Sequence, residues 1–214
     1  MHVMITGANR GVGLALSETY KARGAQVTGT SRDGSTGLAL DVADPASHRA
    51  LAARLEGQAV DLLVCNAGVY LDKGQSLAEG YAPGMWAESF AVNVTGVFLG
   101  VQALLPNLRM SEGARIAIIS SQMGSDTRAP GGSYIYRASK AAALNLGRNL
   151  ATDLREMGIA VGIYHPGWVR TDMGGSSAEI TVDEAAAGLS ARFDALSLAS
   201  TGEFLTWDGR VHPF

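Results

Sequence analysis

From residue 2 to residue 207, short runs that are apolar at successive positions alternate with longer stretches of helical periodicity, an alternation few folds can satisfy. The apolar runs are HVMIT (2 to 6), AQVTGTS (25 to 31), GLALDV (37 to 42), VDLLVCN (60 to 66), ARIAIIS (114 to 120), GIAVGIYH (158 to 165) and GEFLTW (202 to 207). Apolar residues on successive positions suit strands covered on both faces. Helical patterns fall between them at 12 to 23, 45 to 56, 84 to 108, 134 to 157 and 182 to 196. Repeated strand-helix units with right-handed crossovers give an α/β doubly wound architecture, a mostly parallel sheet of about seven strands flanked by helices. One link fits poorly: Arg32 to Thr36 is too short for a helical crossover, so no helix is expected there and the third strand's place stays open. No linker, repeat or low-complexity tract divides residues 1 to 214, so one domain is expected.

Hydrophobic residues make up 47% of the chain, enough for a sizeable core, and the longest apolar stretches read as interrupted before the ~20 residues of a membrane span. No membrane partner is expected. Seventeen basic against twenty acidic side chains give a net charge of -3 without clustered Lys/Arg, so no nucleic-acid partner is expected either. The single cysteine, Cys65, allows neither an internal disulfide nor a cysteine-built metal site and reads as a small core residue. The motif-bearing start MHVMITGANRGVG leaves no space for a secretory leader, which points to the cytoplasm.

That start carries the first chemistry. TGANRGVG (6 to 13) follows a strand and opens a helix, and its glycines allow close backbone approach, so free N–H groups and the positive helix end can face a pyrophosphate. A merely tight turn is the bland alternative. The spacing G-x-x-x-G-x-G resembles that of the short-chain dehydrogenase/reductase family, whose fold is a single Rossmann-type domain. The resemblance implies cofactor contacts from Gly7, Asn9, Arg10, Gly11, Val12 and Gly13. It also implies contacts from Asp41 and Val42 to the adenine, and from Asn66, Ala67 and Gly68 in CNAG, with Asn66 bracing the sheet. Ser31 stands where NAD-preferring relatives carry Asp, and Arg32 and Arg10 offer cations to a 2'-phosphate, so NADP(H) is preferred and NAD(H) is the alternative. In the opposing reading Arg32 is a solvated turn residue and Asp33 turns to the ribose.

SYIYRASKAAALN (133 to 145) holds two tyrosines ahead of a lysine. Residues four apart share a helix face, so Tyr136 can meet Lys140, whereas Tyr134 points away. A phenol is a poor proton donor near neutral pH, and a neighbouring ammonium is expected to lower its pKa. A half-buried packing tyrosine is the alternative, but YRASKAAALN resembles the family's catalytic helix. Ser121 matches the family's S-x-x-G serine in SQMG, and Asn93 resembles the asparagine that kinks its helix and holds a water behind the lysine; simple helix packing is the other reading of Asn93. After the sixth strand, Pro166 and Gly167 resemble the pair beneath the nicotinamide, with Val169 and Thr171 completing that wall. His165 reads as a strand-end residue, the other histidines are scattered, and no metal site is expected.

The whole chain is most similar to the C-factor, sniffer and carbonyl-reductase-like branch of the family. The resemblance implies reversible hydride transfer between NADP(H) and a small-molecule carbonyl or secondary alcohol. Ser121 and Tyr136 polarise the carbonyl, Tyr136 supplies the proton, Lys140 tunes the phenol and binds the ribose, and Asn93 refills the proton. A cofactor-binding signal or sensor with little turnover is the alternative, and a sugar epimerase or dehydratase fits least. The short segment 174 to 185 takes the place of a lid, and the helices at 84 to 108 and 134 to 157 are those that relatives pair into homodimers or homotetramers.

Overall fold

A computed structural model describes residues 1–214. Seven parallel strands form one sheet in the order β3-β2-β1-β4-β5-β6-β7: β1 (His2–Ile5), β2 (Gln26–Ser31), β3 (Leu38–Ala39), β4 (Leu62–Cys65), β5 (Arg115–Ile119), β6 (Ala160–His165) and β7 (Phe204–Thr206). The helices are α1 (Gly11–Ala22), α2 (Pro45–Arg54), α3 (Pro83–Phe90), α4 (Gly96–Leu108), α5 (Tyr134–Arg155) and α6 (Val182–Ala195). The chain winds outward from β1 to β3, then crosses back to β4. Strand order therefore reverses between β1 and β4, and a crevice opens at their C-terminal ends.

Alternation along each strand feeds two cores. Val3, Ile5, Leu62 and Val64 pack with Leu16, Tyr20, Leu189 and Phe193 under α1 and α6. Met4, Leu63, Ile116 and Val161 pack on the other face with Leu104, Leu108, Leu150 and Leu154 under α4 and α5. Cys65 belongs to this second core, and burial pushes its thiol up to about 12. Local signals set several helix starts: Asp44 accepts N–H bonds from Ala46 and Ser47 ahead of Pro45, and Thr181 with Glu184 forms a capping box on α6.

Two elements differ from the sequence reading. The third strand is only two residues long, pairing Thr30 with Leu38 and Ser31 with Ala39. So short a strand lets a loop without a helix complete a parallel crossover, because the chain has little length to retrace. The helix expected at 84 to 108 is interrupted by a π-helical turn, Ala91–Thr95, centred on Asn93; the surrounding run FAVNVTGVFLG is apolar at most successive positions, so no break in the pattern marks it. Taken together, Pro83–Leu108 is 26 residues and contains an 18-residue window with a mean hydropathy of 1.5, long and apolar enough to cross a membrane by length and composition alone. That corrects the expectation of interrupted apolar stretches. Here Val97, Val101, Leu104 and Leu108 pack against the sheet as a core helix does.

Candidate active site

The crevice between β1 and β4 is rigidly braced. Asn66 donates its side-chain amide to the carbonyls of Thr6 and Gly7, both at 3.0 Å, and its backbone N–H to the Thr6 hydroxyl at 3.0 Å. Gly7 has φ +67°, and a Cβ at Gly13 would lie 2.2 Å from the Gly7 carbonyl oxygen and 2.4 Å from Asn66 Nδ2, so only glycine lets α1 start this close to the strand. The first turn of α1 has no side-chain cap and no acidic residue, which leaves its N–H groups and positive end facing the crevice. These features fit the pyrophosphate of a nicotinamide dinucleotide. The crevice opens into a cleft of about 1550 Å³, above the roughly 300–1,000 Å³ of a drug-sized site, which suits a dinucleotide with a substrate beside it.

Every residue expected at the site lines this cleft except Asn93. At the adenosine end, Ser31 donates to the Asp33 carboxylate at 2.7 Å, and Ser35 donates to the same oxygen through its hydroxyl at 2.8 Å and its N–H at 3.1 Å. These bonds hold the solvated Asp33 carboxyl down at about 2. Arg32 is exposed and lines the cleft beside it. Arg10 reaches across the cleft to Asp172 at 2.7 Å, an exposed ion pair that nothing in the local sequence announced.

At the opposite end the walls are dry. Tyr136 is 8% exposed and Lys140 5%, whereas Tyr134 is 39% exposed and turned edge-on to Tyr81. Lys140 Nζ lies 5.7 Å from the centre of the Tyr136 ring and donates to the Ile119 carbonyl at 2.9 Å. The two neighbouring serines divide their work. Ser120 donates to the Lys140 carbonyl at 2.8 Å, whereas Ser121 lines the cleft and interacts with the Tyr136 phenol. Gly124 explains the spacing of the serine motif: a Cβ there would sit 2.6 Å from the Lys140 backbone, so the turn after β5 lies directly on α5.

The expected acidification of the phenol is not what the protein alone provides. Burial pushes Tyr136 up to about 12, with Tyr70 and Asp72 adding to the rise and Ser121 opposing it. Burial likewise brings Lys140 down to about 8, because the ammonium too has lost its water. Desolvation is the largest influence on both groups, so the phenol stays protonated near neutral pH. Asn93 stands behind this pair rather than in the cleft. Its side chain bonds both backbone groups of Val69 at 2.9 Å and the Ser139 hydroxyl at 3.0 Å, the packing arrangement. His165 is buried, its Nδ1 has no partner, and burial lowers it to about 4, so it stays neutral across the working range. No group of three or more His, Cys, Asp or Glu side chains is arranged as metal ligands.

Two residues absent from the sequence reading contact Tyr136, one at its ring and one at its backbone. Tyr70 stacks on Tyr136 with ring centres 4.2 Å apart, and the buried Asp72 accepts the backbone N–H of Ile135 and Tyr136. Both lie more than sixty positions upstream in a loop, and no local pattern marks them.

A strand-end crevice, an uncapped helix opening on glycines and a buried Ser-Tyr-Lys set define a nucleotide-dependent oxidoreductase of the α/β class. The chain belongs to the short chain dehydrogenase family, whose sequence model matches residues 1–180. Within the family it falls in the C-factor and sniffer-like branch. It is 37% identical over 170 residues to the C-signal of Myxococcus xanthus, covering 78% of this chain and 99% of that protein. The NADPH-bound carbonyl reductase from chicken fatty liver superposes with a TM-score of 0.91 at 33% identity, covering 100% of this chain and 98% of that one. Carbonyl reductase Sniffer of D. melanogaster superposes with a TM-score of 0.93 at 26% identity over 100% and 99% of the two chains.

Proposed function

We propose that the protein is an NADP(H)-dependent oxidoreductase that interconverts carbonyl compounds and secondary alcohols in the cytoplasm. The observation that carries this reading is the joining, in one cleft, of a buried proton donor with an exposed arginine, Arg32, that can pair a 2'-phosphate. The NADPH held by the chicken carbonyl reductase supports the same cofactor choice.

A nicotinamide dinucleotide supplies the hydride when bound. The chain's residues do the rest. Ser121 and Tyr136 donate hydrogen bonds to the carbonyl oxygen, and Tyr136 passes its proton to that oxygen as negative charge develops there. Lys140, fixed by the Ile119 carbonyl, carries a proton that its lowered affinity lets it share near neutral pH, and it stabilises the phenolate left behind. Asn93 holds Val69 against this group, so any water relay runs through backbone atoms rather than its occupied side chain. Pro166, Gly167, Val169 and Thr171 wall the cleft opposite Tyr136. Exposed Trp86 and Phe98 on α3 and α4 support self-association as a homodimer or homotetramer through those helices.

Likeness to C-signal favours a second reading, a cofactor-binding signal with little turnover, but an intact Ser121, Tyr136 and Lys140 set argues for chemistry. Comparative titration with NADPH and NADH, followed by a carbonyl panel read as NADPH oxidation, tests the proposal. Saturable NADPH binding with carbonyl-dependent oxidation is expected. Absence of NADPH binding would overturn it, and tight binding without oxidation would favour the second reading.

A further inference from the structure

The chain leaving β4 forms a bracket around the first turn of α5. Val69 is fastened to Asn93, the Tyr70 ring lies on the Tyr136 ring at an interplanar angle of 21°, and the Tyr70 hydroxyl is hydrogen-bonded to the Ser133 hydroxyl. Asp72 closes the bracket. Its carboxylate is 0% exposed, accepts the N–H of Ile135 at 2.8 Å and of Tyr136 at 3.2 Å, and has no Lys, Arg or His within ion-pair distance.

Two features make this carboxylate more than an ordinary cap. The residue that precedes α5, Ser133, sits at a left-handed φ of 49° and gives the helix no side-chain cap, so the helix that carries the phenol and the lysine is capped from a remote loop. A buried carboxylate without a cation is costly, and only the N–H groups and the positive end of α5 compensate it here. The groups that face the phenol are Tyr70 and Asp72 from the loop after β4, Ser121 from the turn after β5 and Lys140 from α5 itself.

We propose that Asp72 is a positioning residue for the reaction: as the remote cap of α5 it fixes the backbone from which the Tyr136 phenol projects and sets a negative charge at the end of the helix that carries it. This deepens the oxidoreductase reading and rests on it. The charge opposes loss of the phenol proton, in line with the raised Tyr136 value to which Asp72 contributes.

Asp72→Asn keeps an acceptor of the same shape and removes the charge; Asp72→Ala removes both. Amide hydrogen exchange at Ile135 and Tyr136, and titration of the Tyr136 Cζ carbon by NMR with Tyr136→Phe as the assignment control, need no substrate. In Asp72→Ala the two amides should exchange at least about tenfold faster and kcat should fall about tenfold, with the NADPH KM within about twofold. In Asp72→Asn the amides should stay protected and most turnover should return, while the phenol titrates lower and the pH profile moves with it. Unchanged exchange in Asp72→Ala, or an Asp72→Asn phenol that titrates as in the wild type, would overturn the proposal. If Asp72→Ala does not fold, the Asp72→Asn titration alone decides. Should the wild type reduce no carbonyl, the functional reading fails while exchange and titration still judge Asp72.

Discussion

The two ends of the cleft are built by opposite means. Around Tyr136 and Lys140 several buried polar groups are tied to backbone: Lys140 to Ile119, Ser120 to Lys140, Asp72 to the start of α5. At the adenosine end Arg10, Arg32, Asp33 and Asp172 all stand in water. Desolvated groups cannot move or change charge cheaply, so the Tyr136 end is fixed in geometry and strongly perturbed in proton affinity. Solvated charges are screened and mobile, so the solvated end can be retuned with little effect on the fold.

The comparison can be broken most severely where packing is tightest. Gly13→Val should abolish measurable NADPH binding, because its Cβ would fall 2.2 Å from the Gly7 carbonyl; a cofactor titration checks this, and retained affinity would mean that the cradle is not the binding site.

The next effect concerns charge at the buried end. Lys140 falls to about 8 from 10.5, so between those pH values the unfolded chain holds a proton that the folded chain lacks, and stability from this group rises with pH. The wild-type-minus-Lys140→Met difference in unfolding free energy should therefore increase from pH 8 to pH 10.5, by an amount on the order of 1–3 kcal/mol, in denaturant melts of the cofactor-free protein. A flat difference would show Lys140 to be solvated.

At the exposed end the effects shrink. Arg32→Ala should raise the NADPH KM about five- to thirtyfold and leave that of NADH within about twofold, consistent with one lost charge-assisted contact. Equal losses for both cofactors would return Arg32 to a turn role. Smallest is Asp172→Asn, which removes the exposed partner of Arg10 and should change thermal stability by no more than about 0.5 kcal/mol. A large loss would mean that the cross-cleft pair holds the structure together.

Much of this was legible in sequence because strand apolarity, glycine turns and the four-residue helix spacing are local signals. They placed Gly7, Gly13, Asn66, Tyr136 and Lys140 on the right elements, and all five line the cleft. Local patterns failed where the cause is tertiary. The π turn at Asn93 hides inside an apolar helical pattern, and the short β3 hides inside a longer apolar run. The direction of the Tyr136 shift depends on burial beneath Tyr70 and beside Asp72, contacts made across more than sixty residues. Likewise, Arg10 reads as a free cation until the chain folds and brings Asp172 opposite.

The central claim is that the buried phenol of Tyr136 delivers the proton while the rest of the cleft holds NADPH. A single-turnover experiment tests it directly, following the absorbance of enzyme-bound NADPH after mixing with a carbonyl that the wild type reduces. Tyr136→Phe should bind NADPH with a Kd within about threefold of the wild type and consume it at least about 100-fold more slowly. A variant that oxidises bound NADPH at the wild-type rate would contradict the account.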